Sequence, residues 1–273
     1  MTGYEPIKPF LRWAGSKRQV LSSLSTYWTS KCERYLEPFL GSASLFFHLR
    51  PGCSILGDKN SELIITYEQV KDNLDGVLTE LSALRKGKEE YYIIRSLDVD
   101  SLTLLQRAAR FIYLNRYSFN GLYRTNSKGD FNVPYGGEKS GNIPDRQSLE
   151  VCSIALRNAT LVTGDFEKVL DEARTGDFVY LDPPYSVKAF RVFNEYSSIN
   201  FGIQDLQRLR QWLEKLTESK IEFLLSYAKC EEAEILMKDN TVTEITVRRN
   251  IAGFSDNRRK AAEWLISNHE TLS

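Results

Sequence analysis

Four residues that follow a short apolar segment have the side chains needed to activate an amine. Asp182-Pro183-Pro184-Tyr185 comes directly after residues 178–181. A carboxylate and a backbone carbonyl that both accept hydrogen bonds from an exocyclic amino group favour a pyramidal, nucleophilic nitrogen, and consecutive prolines fix that carbonyl. The aromatic ring beside them can stack on a flipped-out base. Asp182, Pro183, Pro184 and Tyr185 are therefore the candidate catalytic residues, although Asp-Pro-Pro is also ordinary turn chemistry at a strand end.

A second segment, Glu37-Pro38-Phe39-Leu40-Gly41-Ser42-Ala43-Ser44, contains the small residues that let a backbone approach a ligand closely. Asp58 follows about 20 residues later, at the end of the next apolar segment, which is the spacing of an acid that binds ribose hydroxyls. Taken alone, the turn is better explained by a helix N-cap at Ser42 or Ser44. Together with Asp58, it predicts a cofactor that carries a nucleoside.

A third segment, residues 10–17, combines a glycine turn with an aromatic ring and a lysine. Gly15-Ser16-Lys17 is not a phosphate-binding loop, because that loop needs an earlier glycine at a fixed spacing and the only earlier glycine is Gly3. We interpret Lys17 as a candidate partner for the methionyl carboxylate of S-adenosylmethionine, with Trp13 packing on the sulfonium. The alternative is a core tryptophan beside a surface lysine.

Short apolar segments alternate with helical patterns along most of the chain. Residues 35–36, 54–56, 160–162, 178–181 and 223–225 read as strands, and 203–216 reads as a helix. This alternation predicts an α/β fold with a mostly parallel, Rossmann-like sheet covered on both faces. Near the end, 241–248 alternates like a strand with which 261–266 can pair. Ligands bind at the carboxyl ends of the strands of such a sheet.

Residues 62–143 differ from this pattern and are predicted to be an inserted domain. Helical periodicity over 63–84 and 102–114 gives way to a polar, turn-rich stretch. Asn126-Ser127-Lys128-Gly129, between 122–124 and 131–133, predicts a hairpin turn. A basic, aromatic insertion with a hairpin is suited to reading a DNA groove. We therefore expect residues 1–61 and 144–273 to form the catalytic domain and 62–143 the recognition domain.

The charge and composition of the 273 residues limit the alternatives. The formal net charge is zero, but segments 7–18, 107–129 and 247–260 are locally basic and together can hold a polyanion on one face. No apolar stretch approaches the roughly 18 residues of a membrane helix, and the first residues lack a secretion signal. Four scattered cysteines without a CxxC pair argue against zinc and disulfides, and two histidines are too few for a histidine-based metal site. We expect no metal.

The order of these motifs resembles the Dam family of adenine-N6 DNA methyltransferases, whose recognition domain is inserted between the cofactor motifs and the catalytic motif. FLRWAGSK, EPFLGSAS with LGDKN, and TGDF resemble the family's cofactor motifs. NRYSFNGLYRTNSKGDFNVPYG resembles its recognition hairpin, YLDPPY its catalytic motif, and VRRNI with KAAEWLISN its C-terminal segment. The resemblance implies S-adenosylmethionine as cofactor, double-stranded DNA as partner, N6 of a flipped-out adenine as the target and GATC as the usual site.

The same resemblance implies individual roles. It places Arg124 against a guanine, Leu122 and Pro134 against neighbouring bases, Asn120 beside the space that the flipped base vacates, and Arg12 where a lysine usually reads the first guanine. The implied cofactor-binding residues are Trp13, Lys17, Glu37, Pro38, Phe39, Gly41, Asp58, Asp165, Phe166 and Asp182. The implied DNA-binding residues are Arg12, Arg116, Asn120, Leu122, Arg124 and Pro134.

Three positions depart from the family pattern. Ala43 and Ser16 stand where glycine is common; both are small, so we expect cofactor binding to survive. Arg12 keeps a donor for guanine, but its guanidinium is bidentate where the lysine ammonium is a point charge, which affects strictness at the first base.

Other functions remain open at this point. An RNA adenine or protein amide methyltransferase uses a similar catalytic motif, and a catalytically silent DNA-binding regulator can keep the same fold. An unrelated nucleotide-binding α/β protein would need the motif order to be a coincidence. We expect a monomer without an obligatory protein partner or a membrane, in bacterial cytoplasm and associated with the nucleoid.

Overall fold

One seven-stranded sheet contains the segments that the sequence predicted as strands. The computed structural model describes residues 6–29, 31–138, 140–185, 201–250 and 258–269, with side chains except at 248–250 and 258–261. Seven strands run in the order β3-β2-β1-β4-β5-β7-β6. Their bounds are β1 Arg34–Glu37, β2 Ser54–Asp58, β3 Ala159–Thr163, β4 Asp177–Leu181, β5 Glu222–Ala228, β6 Thr241–Asn250 and β7 Arg258–Ser267.

The first five strands are parallel and the last two are not. β1 pairs with β2 and β4, β2 with β3, and β4 with β5, all in parallel. β7 lies antiparallel between β5 and β6. The mostly parallel α/β fold expected from the sequence is confirmed. Chain order reverses between β1 and β4, and the crevice at the carboxyl ends of these two strands is where such sheets bind ligands.

Helices connect the strands and cover both faces of the sheet. Their bounds are α1 Leu21–Ser25, α2 Ser44–Leu49, α3 Ser61–Asp72, α4 Leu74–Ala83, α5 Lys88–Ser96, α6 Leu104–Tyr117, α7 Arg146–Leu156, α8 Glu167–Leu170 and α9 Ile203–Glu218. The periodicity over 63–84 is divided between α3 and α4, because the backbone leaves the helical region at Asn73, whose φ is −138°. Helices α5 and α7 were not identified in the sequence.

Neighbouring residues of a strand enter two different cores because successive side chains point to opposite faces. Tyr35 and Phe178 pack on one face with residues of α2, α3 and α6. Leu36 and Val179 pack on the other face with residues of α8 and α9. Buried residues of α3, α4 and α6 therefore belong to the same hydrophobic cluster as the sheet. The division into domains at 62–143 stays a prediction.

The predicted hairpin folds back on itself without forming regular strands. Ser118 pairs with Tyr135 and Thr125 with Phe131 as isolated antiparallel bridges. The backbone N–H of Asn126 donates to the Asp130 carbonyl at 2.9 Å, which closes the turn where it was expected. A third hydrophobic cluster holds this segment against α5 and α6; its buried members are Tyr91, Ile94, Tyr113, Leu114, Tyr117, Phe131 and Val133.

Among the described residues, no helix has the length and apolar character needed to cross a membrane. The basic side chains predicted at 248–249 and 258–260 lie outside the described part of the chain, so two of the three basic segments can be placed.

Candidate active site

The Asp-Pro-Pro-Tyr motif directly follows β4 and therefore lies at the carboxyl edge of the sheet. Asp182 follows the last residue of the strand and is half-buried, Pro183 is buried and Pro184 is exposed. The ring of half-buried Tyr185 packs edge-on against Tyr227 of β5, with centroids 5.0 Å apart. The motif is thus held by the two central parallel strands β4 and β5.

Lys17, in the N-terminal segment, contacts this motif. Its Nζ donates to Asp182 Oδ1 at 2.7 Å, to Asp182 Oδ2 at 2.9 Å, to Tyr185 Oη at 2.9 Å and to the Gly15 carbonyl at 3.1 Å. Its side chain is only 6% exposed. Burial opposes its charge, but Asp182, Tyr185 and Glu263 outweigh burial and raise the pKa of Lys17. Lys17 is therefore a buried cation, which excludes the surface lysine considered above.

The Asp182 carboxylate is a hydrogen-bond acceptor that is poorly solvated. Burial raises the pKa of Asp182, and the charge and hydrogen bond of Lys17 oppose that rise. Donors interact more strongly with a carboxylate in such an environment than in water. The arrangement can orient an amino group brought close to Asp182.

The glycine turn after β1 is built around close packing with Trp13. Gly41 has φ +46°, and a Cβ added there would lie 2.7 Å from Trp13 Cδ1. The Gly41 N–H donates to Asp58 Oδ2 at 3.0 Å, and the Asn60 N–H donates to Asp58 Oδ1 at 2.9 Å. Ala43 is also left-handed, at φ 53°, a conformation that costs a non-glycine residue about 1 kcal/mol. The departure from glycine at position 43 is thus tolerated by this backbone.

Trp13 packs both on the glycine turn after β1 and on the folded-back residues 118–135, which are called the recognition segment below. Its indole stacks on Tyr123 at 5.6 Å and on Phe111 of α6 at 6.4 Å. Nevertheless it reaches Gly41, so one side chain joins the cofactor motif to the predicted DNA-reading segment.

Asp165 and Phe166, after β3, contact an arginine that the sequence did not single out. Arg208 of α9 pairs with Asp165 at 2.5 Å and with Glu167 at 2.7 Å. Its guanidinium carbon lies 4.7 Å from the centre of the Phe166 ring, and Phe39 stacks on Phe166 at 5.3 Å. Because α9 is amphipathic with several charged residues, no local signal distinguishes Arg208 from its neighbours.

Glu37 and Pro38 lie beneath the turn. Glu37 is 3% exposed and accepts a hydrogen bond from Tyr35 Oη at 2.9 Å. Burial raises the pKa of Glu37 well above its ordinary value, and the charges of Asp182 and Asp58 add to the rise. The rise in its pKa makes Glu37 easier to protonate than an exposed glutamate.

The residues at this edge fit a nucleoside-bearing cofactor. The turn leaves no room for a Cβ at Gly41, and the half-buried Asp58 carboxylate is fixed by two backbone donors at the end of the neighbouring strand. The ends of β1, β2, β3 and β4 bring together ten residues expected from the sequence to bind the cofactor or act in catalysis: Glu37, Pro38, Phe39, Gly41, Asp58, Asp165, Phe166, Asp182, Pro183 and Tyr185.

A cavity of about 430 Å³ lies between the N-terminal segment and the recognition segment. It is rich in cationic and polar side chains. Its lining is Leu11, Arg12, Trp13, Ala14, Ser16, Arg18, Phe119, Asn120, Leu122, Gly136 and Ser140. Three of the predicted DNA-binding residues therefore meet at one cavity, together with Arg18 of the basic segment 7–18. The cavity also includes the exposed Phe119, which the sequence analysis did not single out.

Arg12, Arg18 and Arg116 lie close to one another beside this cavity. Burial and the charges of Arg12 and Arg18 lower the pKa of Arg116 to about 10. The buried Nε of Arg116 has no hydrogen-bond partner among the described residues. The aliphatic part of Arg12 lies so close to Gly121 that a Cβ there would be 2.5 Å from Arg12 Cδ. Clustered cations of this kind suit a polyanion.

The remaining predicted DNA-binding residues lie on the folded-back segment. Arg124 Nε donates to Asn132 Oδ1 at 2.8 Å, and the Asn132 N–H donates to the Arg124 carbonyl at 3.0 Å. The exposed Pro134 accepts from the Phe119 N–H at 2.9 Å. Asn132 thus orients a guanidinium that the sequence assigned to base reading.

Comparison with known proteins gives one consistent family. Residues 13–251 match the family described as D12 class N6 adenine-specific DNA methyltransferase. The chain is 38% identical over 272 residues to the Type II methyltransferase M1.LlaDCHI of Lactococcus lactis subsp. cremoris, covering 96% of each chain. It is 33% identical over 287 residues to the Type II methyltransferase M.MjaIII of Methanocaldococcus jannaschii, covering 96% of this chain and 99% of that one. A DNA adenine methylase of Serratia marcescens is 31% identical over 264 residues, with 94% and 97% covered.

Proposed function

Because the chain belongs to the D12 class N6 adenine-specific DNA methyltransferases, we propose that it methylates N6 of a flipped-out adenine in GATC sites of double-stranded DNA, with S-adenosylmethionine as the donor. The observation that carries the chemistry is the Asp182 carboxylate, half-buried at the end of β4 and followed by the buried Pro183.

Asp182 and the Pro183 carbonyl act as two acceptors for the adenine amino group. Their hydrogen bonds reduce the delocalisation of the N6 lone pair into the adenine ring and direct that lone pair towards the methyl carbon of the donor. Tyr185 offers its ring to the flipped base. Bound S-adenosylmethionine supplies the methyl group. The four cysteines of the chain are at 32, 53, 152 and 230, none beside Asp182, which agrees with direct transfer without a covalent enzyme intermediate.

In this proposal the cofactor roles are those that the family resemblance implies. Asp58 accepts hydrogen bonds from the ribose, Asp165 and Phe166 hold the adenine of the cofactor, and Trp13 and Lys17 hold its methionine part. Support comes from the Asp58 carboxylate, which two backbone N–H donors fix at the end of β2.

Site preference is assigned to the recognition segment. Arg124 reads one guanine, Leu122 and Pro134 contact neighbouring bases, and Arg12 reads the first guanine. This proposal is supported by the orientation of Arg124 by Asn132 and by the meeting of Arg12, Asn120 and Leu122 at one cavity. Residues 62–143 form the recognition domain in this proposal. One chain carries every required group, so we propose a monomer acting on nucleoid DNA in the cytoplasm.

The test is base-resolved mapping of N6-methyladenine on unmethylated genomic DNA after incubation with purified protein and S-adenosylmethionine. The comparison variant is Asp182→Ala, which removes both acceptor oxygens of the side chain. Methylation confined to GATC, absent with the variant, is expected. Methylation at another sequence would keep the enzyme and overturn the assignments of Arg12, Leu122, Arg124 and Pro134. Full activity of the variant would overturn the role of Asp182.

Two further outcomes separate the alternatives. Competition by RNA but not by duplex DNA would point to an RNA methyltransferase. Binding of both cofactor and duplex without any methylation would point to a silent regulator.

A further inference from the structure

Glu263 is a buried carboxylate in the segment KAAEWLISN, to which neither the sequence analysis nor the proposed mechanism assigns a role. It lies on β7, paired in register with Ala228 of β5 and Ile245 of β6. Its side chain is 5% exposed, and its Oε2 lies 3.9 Å from Lys17 Nζ. Because a buried carboxylate is costly unless it is paired, its position beside a buried ammonium requires an explanation.

Lys17 holds both oxygens of the group that the reaction needs. Its Nζ contacts Asp182 Oδ1 at 2.7 Å and Oδ2 at 2.9 Å, and its other contacts are Tyr185 Oη and the Gly15 carbonyl. An adenine amino group that donates to Asp182 therefore competes with the Lys17 ammonium, which already occupies both carboxylate oxygens. An ammonium that moves away from Asp182 loses its one carboxylate partner at hydrogen-bonding distance among the described residues, so a second protein carboxylate within reach, besides the cofactor carboxylate proposed above, keeps it well paired.

We propose that Glu263 is a positioning residue that receives Lys17 when Asp182 binds the adenine amino group, an inference that rests on the proposed function. A movement of about 1 Å brings Lys17 Nζ within hydrogen-bonding distance of Glu263. Lys17 then stays charged and paired, while an oxygen of Asp182 becomes available. The carboxylate of β7 thus acts on the reaction through Lys17, without touching the substrate.

The experiment measures single-turnover methylation of a target duplex at saturating S-adenosylmethionine, with Kd values for the duplex and for S-adenosylhomocysteine. Glu263→Gln is expected to slow the methylation step about tenfold, because Lys17 then competes for Asp182. Both Kd values are expected to stay within about twofold. The matched control is Glu244→Gln, which removes an exposed carboxylate paired with Lys229 on the adjacent strand. An unchanged rate for Glu263→Gln would overturn the proposal.

A double-mutant cycle distinguishes positioning from simple support of the fold. If Glu263 acts through Lys17, then Glu263→Gln has no further effect on the rate in a Lys17→Met background. Equal slowing in both backgrounds would overturn the proposal. Glu263→Asp keeps the charge and is expected to recover part of the rate; it replaces the Gln variant in the cycle if thermal unfolding shows that Gln disrupts the fold. Absence of N6-methyladenine with the unsubstituted protein would instead refute the proposed function.

Discussion

Arg12 and Asn115 are joined by a reciprocal pair of hydrogen bonds. The Arg12 N–H donates to Asn115 Oδ1 at 2.8 Å, and Asn115 Nδ2 donates to the Arg12 carbonyl at 2.7 Å. Asn115 is 1% exposed and lies in the last turn of α6, just before the recognition segment. The backbone that leads to Trp13 and Lys17 is therefore fixed to the helix that leads to the DNA-reading residues.

Replacing Asn115 with alanine is expected to weaken both functions at once. The substitution leaves a buried N–H and a buried carbonyl of Arg12 without partners, at a cost of about 1–3 kcal/mol in the free energy of unfolding. Denaturant unfolding measures that loss, and titrations with S-adenosylmethionine and duplex DNA measure the two affinities. Asn158→Ala, at an exposed turn, is the control. Loss of only one affinity would show that the two segments are independent.

Arg18→Gln is expected to reduce the salt dependence of DNA binding. A side chain that neutralises one phosphate contributes about one unit to the slope of log K against log salt concentration. The slope should therefore fall by about one, with the preferred sequence unchanged. The control is the exposed Arg157→Gln. A slope equal to that of the unsubstituted protein would remove Arg18 from the DNA-binding surface.

Arg124→Ala is expected to relax the preference for one guanine, with a loss of about 1–3 kcal/mol in discrimination. Asn132→Ala should relax the same position to a smaller extent, because it removes the acceptor that orients the guanidinium. Relative kcat/KM values on duplexes with single substitutions in the site measure both. Lys128→Ala, at the exposed turn, should lower affinity for all duplexes alike. Relaxation at different base pairs by the two variants would contradict the orienting role.

Glu37→Gln is expected to change the pH dependence of stability. Since burial raises the pKa of Glu37, its contribution to stability is complete below 4.5, the ordinary value, and is lost as the pH rises towards the raised value. The difference between the two proteins should grow in favour of Gln by up to about 1.4 kcal/mol per pH unit in that window. Urea unfolding at a series of pH values measures it, with exposed Glu218→Gln as control. A difference that does not change with pH would show that folding leaves the pKa of Glu37 unshifted.

The family and the main strands were predictable because their signals are local. The apolar run before Asp182 ends in the structure where the sequence indicated, and the family assignment from the motif order is confirmed. The position of β7 beside β6 was also expected. The insertion of β7 between β5 and β6 was not, because register and neighbours depend on packing that no short segment encodes.

The sequence did not predict the contacts between site residues that are far apart along the chain. Lys17 and Asp182 are 165 residues apart, and the sequence assigned each to a different ligand. Arg208 is one of several charged residues of α9, and Glu263 lies on β7, far along the chain from Lys17, so neither sequence position indicates the contacts that its side chain makes. Their importance arises only when α9 and β7 meet the strand ends.

The order of the sheet also has a consequence for synthesis on the ribosome. β7 is made after β6, yet it separates β6 from β5. A nascent chain that has emerged only as far as β6 leaves the edge of β5 uncovered and lacks the buried carboxylate beside Lys17. Its earlier strands can associate during translation, but this half of the sheet is completed only after residues 258–267 have left the exit tunnel. Completion of the sheet beside Lys17 therefore waits for β7, which follows the other described strands along the chain.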